Sequence, residues 1–465
     1  MLYHSTRGLD GSKNFSEVLH SGLARDGGLF VPKLIPTLNM ETIAKWRHLS
    51  YEELAVEIIS LFSGDCFSRS ELSEIVHKSY SGFRHELKSP LIKLEENHYF
   101  LELFHGPTLA FKDFAMQVIA KMFSKTLRKK NSKINIVTAT SGDTGSAAVE
   151  AFKDVSNVNL YVLYPHERIS QIQRMQMTTS NARNVKVLAV RGTFDDCQSI
   201  VKRLFADKEL VSEVNLSGVN SINWARILVQ TIYYFSAFYQ VKDLPEGKLS
   251  FSVPTGNFGD AYAGYLAKKM GLPINKIIVA TNQNDILDRV FKTGIYKING
   301  VSKTLSPSMD IQVASNFERL LSDVLNYDPN EVGRLMNNLS SRGSFKVDKE
   351  TISKISNDFY SGAVTDKDTV ATINQLFNEK EITLCPHSAI GVRAAQDFVN
   401  RGETVISLGT AHPAKFKETV ESALGMSIPI PSAINDIIKK QESVKVISSD
   451  KELVVEEIRS SYLKA

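Results

Sequence analysis

The sequence predicts an α/β protein built on parallel sheets, preceded by a mainly helical segment. From about residue 96, short apolar runs alternate with segments of helical period, which is typical of a parallel sheet with helices on both faces. Several of these runs end in loops rich in glycine and hydroxyl residues, where open α/β sheets bind ligands. At 465 residues the chain is long enough for two or three domains. We predict a mainly helical extension over 1–95 and two α/β domains over 96–245 and 246–465.

The first elements in order are helices over Asn14–Leu23 and Tyr51–Phe62, with a short strand at Phe30–Pro32 between them. Buried strands are then predicted at Ile134–Ala139, Leu160–Tyr164, Val185–Val190, Leu249–Val253, Ile277–Ala280 and Thr404–Leu408. Residues 283–380 are more polar, and we interpret them as helices and loops. Residues 441–465 are predicted to form a short strand and a charged helix.

Composition excludes several classes of protein. The chain has 55 Lys and Arg against 51 Asp and Glu, without a long block of one sign, so nucleic-acid binding is not expected. The three cysteines are far apart, which favours a reducing compartment and neither disulfides nor a paired metal site. No segment has the roughly 20 apolar residues of a membrane span, and the N-terminus lacks the pattern of a signal peptide. We therefore predict a cytoplasmic protein with no metal site. We also expect a monomer rather than an oligomer, although the sequence itself does not give the oligomeric state.

Lys112 stands out because it is predicted to open a helix that continues through Leu127. The helix dipole disfavours a cation at that end. The lysine therefore either reaches water or pairs with Asp113, or it is neutralised in a Schiff base with a carbonyl cofactor. Phe111 and Phe114 flank the lysine with apolar bulk, and desolvation favours the neutral, nucleophilic amine.

Two further loops follow predicted strands and resemble anion sites. Thr138–Gly145 places hydroxyls and backbone N–H groups at a helix N-terminus, although simple helix capping would explain the same residues. Pro254–Ala261 has two glycines three residues apart and fits a cup for a single phosphate, with an ordinary glycine-rich turn as the alternative.

Two more groups complete the set. Asn220, Ser221 and Arg226 lie at the start of another helix and could bind a phosphate or carboxylate. The alternative is that Ser221 or Asn223 caps the helix while Arg226 stays solvated. Thr410 follows a strand and offers a hydroxyl at its carboxyl end. Taken together, the lysine, the cup, the second anion loop and the hydroxyl match the requirements of a pyridoxal-phosphate site.

The segment His105-Gly106-Pro107-Thr108, followed by Phe111-Lys112-Asp113, resembles the cofactor-lysine motif of threonine synthases. The similarity extends from Ser5-Thr6-Arg7-Gly8 to Thr410–Phe416 in the expected order. It implies the fold type II, or tryptophan synthase β-like, architecture of pyridoxal-phosphate enzymes. One departure is Cys385, which stands where the family pattern has aspartate, and packing is the only role expected for it.

The resemblance also implies roles for individual residues. Lys112 would bond to the cofactor, Thr410 would contact its ring nitrogen, and its phosphate would lie on the loop of Gly256, Asn257, Phe258, Gly259 and Asp260. The substrate's amino-acid end would bind Ser141, Gly142, Asp143 and Thr144, and its phosphate would bind Asn220, Ser221 and Arg226.

The implied reaction converts O-phospho-L-homoserine and water to L-threonine and phosphate. The alternatives are a related phospho-lyase that releases a 2-keto acid and a catalytically silent pyridoxal-phosphate-binding protein.

Overall fold

The computed structural model of the chain describes residues 1–241 and 249–462. Its strands, in chain order, are β1 Leu2–Ser5, β2 Lys13–Asn14, β3 Phe30–Pro32, β4 Leu91–Glu95, β5 His98–Glu102, β6 Ile134–Ala139, β7 Val158–Pro165, β8 Val185–Arg191, β9 Leu216–Ser217, β10 Leu249–Pro254, β11 Ile274–Thr281, β12 Ile295–Lys297, β13 Ser344–Lys346, β14 Phe359–Ala363, β15 Thr404–Gly409 and β16 Lys445–Ser448.

The helices are α1 Phe15–Ser21, α2 Met40–Trp46, α3 Tyr51–Ser63, α4 Arg69–Tyr80, α5 Lys112–Lys129, α6 Asp143–Phe152, α7 Gln171–Thr178, α8 Phe194–Ala206, α9 Lys208–Glu213, α10 Trp224–Gln240, α11 Gly259–Lys269, α12 Ile286–Thr293, α13 Phe317–Val324, α14 Pro329–Arg342, α15 Lys349–Asp358, α16 Asp366–Lys380, α17 Pro386–Val399, α18 Lys417–Leu424, α19 Ser432–Ile438 and α20 Lys451–Tyr462. Within the described ranges, no helix combines the length and apolarity needed to cross a membrane.

Two sheets dominate the structure, and the predicted α/β class is confirmed. One has the order β14-β11-β10-β15-β5-β4 and is parallel except for β4, which runs antiparallel to β5. The other has the order β16-β8-β7-β6-β9 and is parallel throughout. Central strands such as β6, β10 and β15 are buried along their whole length, as expected for strands covered on both faces.

The strand pairing crosses the predicted domain limits three times. β4, from the predicted N-terminal extension, pairs with β5. β5, from the predicted middle domain, pairs with β15, and the C-terminal strand β16 pairs with β8. The boundary predicted between 245 and 246 falls in 242–248, outside the described residues. The division into 1–95, 96–245 and 246–465 therefore stays a prediction.

The N-terminal extension is mainly helical, with a small antiparallel sheet of order β2-β1-β3. Three of its helices begin with a capping box, in which the side chain of Asn14, Ser50 or Ser68 and a glutamate three residues later exchange hydrogen bonds with the backbone. Its apolar residues belong to the same core cluster as those of α5 and α10. The extension is therefore packed onto the α/β body.

The prediction for residues 283–380 was incomplete. This region contains an antiparallel pair, β12 and β13, and the strand β14, which forms one edge of the six-stranded sheet. β14 reads Phe-Tyr-Ser-Gly-Ala and exposes Tyr360, so it lacks the continuous apolar run by which the buried strands were recognised.

Candidate functional site

A cavity of about 1520 Å³ lies at the carboxyl ends of strands from both large sheets. β6, β10 and β15 end at Ala139, Pro254 and Gly409, and each is followed by a segment that lines the cavity. The predicted site residues that line it are Lys112, Ser141, Asp143, Thr144, Asn220, Ser221, Arg226, Gly256, Asn257, Phe258, Gly259, Asp260 and Thr410. Segments that are far apart in the chain thus meet at one place, and only Gly142 among the predicted residues does not line it.

Lys112 is the first residue of α5, as predicted. Its side chain is 13% exposed, and its Nζ lies 3.4 Å from Asp143 Oδ2 and 4.7 Å from the centre of the Phe111 ring. Burial lowers the pKa of the Lys112 ammonium, although the Asp143 carboxylate partly offsets this effect. The amine is thus placed in the cavity with an increased tendency to be neutral, which a nucleophilic lysine requires.

Asp143 opens α6 and is held from both sides. Its Oδ1 accepts a hydrogen bond of 2.9 Å from Gln173 Nε2 and lies 3.0 Å from the Lys415 ammonium. Burial alone would raise the pKa of Asp143, but Lys415 and Lys112 together hold it well below its usual range. Asp143 is therefore a buried carboxylate at the wall of the cavity.

The rest of the 140–145 loop is fixed by its own hydrogen bonds. Thr140 Oγ1 accepts from the N–H groups of Gly142 and Gly145, at 2.9 Å and 2.8 Å. Gly142 has a φ of +131°, and a Cβ there would lie 2.4 Å from the Gln173 side chain. Gly142 is thus needed for the close approach of Gln173, which explains why it does not line the cavity.

The predicted cup spans the end of β10 and the start of α11. Phe258 has a φ of +63°, a costly conformation for an aromatic residue, and its ring packs against Phe291, Phe317 and Phe359. The two glycines face the protein's own chain, because a Cβ at Gly256 would meet Ser308 O at 3.0 Å and one at Gly259 would meet Asn316 Nδ2 at 3.2 Å. Their small size allows the loop to pack closely, a reason different from the one inferred from the sequence.

Asp260 is buried in the first turn of α11. Its Oδ1 accepts hydrogen bonds from the hydroxyls of Tyr233 and Tyr234, while Oδ2 is buried without a partner among the described residues. Burial raises the pKa of Asp260 to about 6.

Asn223, and not Ser221, caps α10: its side chain accepts from Ala225 N–H at 3.0 Å and donates to Leu19 O at 2.9 Å. Asn220 accepts from the Thr138 hydroxyl. Arg226 is only 3% exposed, so the alternative of a solvated arginine is wrong. Its Nε and Nη1 are buried with no hydrogen-bond partner in the described structure, and burial lowers the pKa of its guanidinium to about 10.

Sequence reasoning missed a buried arginine that joins the cup to its surroundings. Arg319 is fully buried on α13, and its guanidinium donates to Phe30 O at 3.0 Å, to Ile222 O at 2.6 Å and to Asn316 Oδ1. Asn316 Nδ2 in turn donates to the carbonyls of Ser221 and Asn257. Nothing local in the sequence around α13 signals this role, because the partners lie up to 289 residues away.

Thr410 follows β15 directly, and its N–H donates to Ser388 Oγ at 3.1 Å. Cys385 does more than pack: it is the N-cap of α17, where its Sγ accepts from Ser388 N–H at 3.4 Å. A sulfur thus performs the capping role usual for aspartate.

His387, in the first turn of α17, also lines the cavity, and burial lowers the pKa of its imidazole to about 4. In the described part of the chain, no three His, Cys, Asp or Glu side chains converge as metal ligands would.

Lys415 and Gln173 were also missed as parts of the site. Lys415 lies in the run Thr410–Phe416 on which the family resemblance rests, but nothing in that run showed that its ammonium meets Asp143. The sequence did place Lys415 in a short turn between a buried strand and a helix, and that position alone could have marked it as a candidate buried lysine.

Protein-family models match three consecutive parts of the chain. Residues 2–80 match the family described as Threonine synthase N terminus. Residues 83–348 match Pyridoxal-phosphate dependent enzyme, and residues 388–458 match Threonine synthase, C-terminal.

Individual proteins are similar over nearly the whole length. A threonine synthase of Pseudomonas aeruginosa is 44% identical over 453 residues, covering 97% of this chain and 96% of that protein. The threonine synthase of Saccharomyces cerevisiae is 44% identical over 457 residues, covering 91% and 89%. A crystal structure of PLP-bound threonine synthase from Brucella melitensis superposes with a TM-score of 0.95 at 44% identity and 100% coverage of both chains.

Proposed function

Because the chain belongs to the threonine synthase family of pyridoxal-phosphate-dependent lyases, we propose that its cavity converts O-phospho-L-homoserine and water to L-threonine and phosphate. The choice of substrate rests on the burial and incomplete pairing of Arg226. This guanidinium is nearly fully buried, lines the same cavity as Lys112, and leaves two nitrogens without partners among the described residues. A buried cation of this kind needs an anionic partner, and a phosphate ester supplies one.

The cofactor of the chain is pyridoxal 5′-phosphate, and the residues of the cavity fit it. This group needs an amine for its aldehyde, donors for its phosphate and a polar partner for its ring nitrogen. We propose Lys112 for the aldehyde and Thr410 for the ring nitrogen. The N-terminus of α11, with Gly256, Asn257, Phe258, Gly259 and Asp260, would hold the phosphate. When bound, the cofactor supplies the electron sink for reactions at the substrate carbons.

The protein's own groups divide the remaining work. Ser141, Asp143 and Thr144 are proposed to bind the amino-acid end of the substrate, and Asn220, Ser221 and Arg226 its phosphate. Gly142, which does not line the cavity, is proposed to shape the loop that carries the first three. Lys112, with its lowered ammonium pKa, is proposed to remove and return protons at Cα and Cβ. The Asp143 carboxylate, 3.4 Å from Lys112 Nζ, keeps this amine oriented in the cavity.

The test is incubation of the purified holoprotein with O-phospho-L-homoserine, with threonine, phosphate and 2-keto acid measured together. We expect threonine and phosphate in equal amounts. Keto acid in place of threonine would identify a phospho-lyase, and absence of both would identify a silent cofactor-binding protein. Either outcome would overturn the proposal.

The assignment of Arg226 is tested with two variants. Arg226→Ala removes a charge-assisted contact worth about 1.5–3 kcal/mol, so kcat/KM should fall roughly 10- to 150-fold. Arg226→Lys should recover part of the loss, because an ammonium lacks the planar fork of donors. The visible absorbance of the bound cofactor should be unchanged in both variants. Near-normal efficiency of Arg226→Ala would remove Arg226 from the phosphate site.

Two finer predictions remain proposals, namely a monomeric state and a cytoplasmic location. Analytical ultracentrifugation of the holoprotein tests the first, and fractionation of cells producing the full chain tests the second.

A further inference from the structure

Lys415 is a fully buried cation to which the proposed reaction gives no role. It lies in the short turn Pro413–Phe416 after β15, its side chain is 0% exposed, and it is not among the residues that line the cavity. Its Nζ donates to Thr108 O at 2.8 Å and lies 3.0 Å from Asp143 Oδ1. Lysines are almost never buried without a partner, so its placement points to Asp143.

The two oxygens of Asp143 have different surroundings. Oδ1 is held by two buried donors behind the cavity wall, Lys415 Nζ at 3.0 Å and Gln173 Nε2 at 2.9 Å. Oδ2 faces the cavity, where Lys112 Nζ lies 3.4 Å away. This arrangement fixes the carboxylate in one orientation, with Oδ2 turned toward Lys112 in the cavity.

Lys112 cannot be a constant counter-ion for Asp143. In the proposed reaction its amine is bonded to the cofactor at one stage and exchanges protons at others, so its charge changes. Lys415 is fully buried behind the cavity wall and takes part in none of these steps. In the described part of the chain, these two lysines are the cations that form ion pairs with Asp143.

We propose that Lys415 is a positioning residue that keeps Asp143 ionised and oriented, with one oxygen facing the cavity, while the charge of Lys112 changes during the reaction. The inference rests on the function proposed above, because that function is what makes Lys112 change its charge. It concerns the chain's own ion pair and so has consequences in the protein without substrate.

The first test compares Lys415→Met with Lys415→Arg and with a control, Lys417→Met, which alters a partly exposed lysine two residues away. In Lys415→Met, Asp143 loses its permanent counter-ion, and a buried carboxyl without one has a pKa raised by roughly 3–5 units. The visible spectrum of the holoprotein should therefore gain a transition between about pH 7 and 9, with kcat falling about tenfold or more on its acid side. KM should change less than kcat, Lys415→Arg should restore the wild-type profile, and Lys417→Met should match wild type.

Other titrating groups lie near this pair. Lys112, His387 and Cys385 face Asp143, and Asp113 and His412 face Lys415. Because burial raises the pKa of Asp113 to about 6, this carboxyl could also produce a transition. The double variant Lys415→Met/Asp143→Asn separates the two: the new transition should disappear if Asp143 causes it, whereas its persistence would overturn the inference.

Thermal unfolding of the cofactor-free protein provides a readout that does not depend on activity. Removal of Lys415 alone leaves Oδ1 of the buried Asp143 carboxylate with only the Gln173 amide as its partner, whereas replacement of both groups removes that buried charge as well. We expect Lys415→Met to unfold at a lower temperature than wild type and the double variant to recover most of the difference. This comparison is informative even if the single variant fails to fold.

The outcomes separate the two proposals. If wild type makes no threonine from O-phospho-L-homoserine, the proposed function fails, and the unfolding comparison and the spectra still test the Lys415–Asp143 pair. If the spectrum and pH profile of Lys415→Met match those of wild type, or if Asp143→Asn does not restore its unfolding temperature, the role of Lys415 is overturned.

Discussion

At the scale of single residues, the cavity contains buried charged groups that the folded chain leaves incompletely paired. Arg226 has two nitrogens, and Asp260 one oxygen, without partners among the described residues. Such groups cost free energy in the cofactor-free protein, and the ligands proposed here would supply partners for the arginine. The site thus has donors in place before a ligand arrives, at a cost to stability.

Asp260 allows a test of that cost through its pH dependence. Burial raises the pKa of Asp260 from 3.8 to about 6, so between these values the folded protein binds a proton that the unfolded chain lacks. Stability from this residue is therefore present at low pH and is lost as the pH rises through about 6. A difference of about two pKa units corresponds to roughly 3 kcal/mol.

Asp260→Asn should stabilise the cofactor-free protein at pH 8 by up to that amount and have little effect at pH 4. The asparagine oxygen can still accept from the hydroxyls of Tyr233 and Tyr234. Thermal unfolding at pH 4, 6 and 8 measures the effect, and Asp397→Asn on the exposed face of α17 is the matched control. A stabilisation that does not vary with pH would contradict the assigned pKa.

Which residues of the site could be predicted depends on how local their signal is. Lys112 was found because a lysine between two phenylalanines at the start of a helix is unusual within a few residues of sequence. Lys415, in contrast, acts on Asp143, which is remote in the chain, and its segment carries no sign of this pairing.

At the scale of elements, the buried strands were the most predictable part of the fold. β6 was predicted with its observed bounds, and β10 and β15 each extend one residue beyond the prediction, to Pro254 and Gly409. Two buried faces require a continuous apolar run, and such a run is visible in a sequence. The edge strand β14 needs apolar residues on one face only, and it was missed for that reason.

Helix α13 is the element that holds the cup in place, through Arg319 and through Asn316, which precedes the helix. The three acceptors of Arg319 belong to β3, to the segment before α10 and to Asn316. Arg319→Lys should leave at least one of these buried acceptors unpaired, because a single ammonium lacks the fork of five donors. The expected loss of stability is about 1–3 kcal/mol.

Since Asn316 also binds the Asn257 carbonyl in the cup, Arg319→Lys should in addition weaken cofactor affinity. Cofactor titration and thermal unfolding measure the two effects. Arg334→Lys, on the surface of α14 with Glu331 as its partner, provides the control. Unchanged cofactor affinity in a destabilised Arg319→Lys protein would show that α13 supports the fold but not the cup.

At the scale of the whole molecule, strands that are far apart in the sequence lie next to each other in the two large sheets. β5 lies next to β15, about 300 residues later, and β16 returns to the sheet of β6 to β9. Pairings between strands this distant leave no local signal, so sheet membership could not be predicted from chain position. The fold type II class, which the family resemblance implied, is confirmed by the matching structures.

The N-terminal extension is joined to the body by Glu318, the neighbour of Arg319 on α13. Its carboxylate accepts from the Thr6 hydroxyl at 2.6 Å and from Arg7 Nε and Nη2 at 3.0 Å and 2.9 Å. Glu318 is buried and Arg7 is 27% exposed, so the pair is only partly shielded from water. Arg7 also lines the cavity, which connects this contact to the site.

Glu318→Gln keeps the shape of the side chain but removes its charge and presents an N–H₂ group to a donor. The variant should lose roughly 1–3 kcal/mol of stability, less than for a fully buried pair because Arg7 remains partly solvated. Hydrogen exchange followed by mass spectrometry should show faster exchange in residues 2–32 than in wild type, and KM for O-phospho-L-homoserine should rise. Glu331→Gln, which removes an exposed pair with Arg334, should change neither quantity. Wild-type exchange over residues 2–32 in Glu318→Gln would mean that apolar packing alone holds the extension to the body, and that Glu318 does not couple it to the cavity.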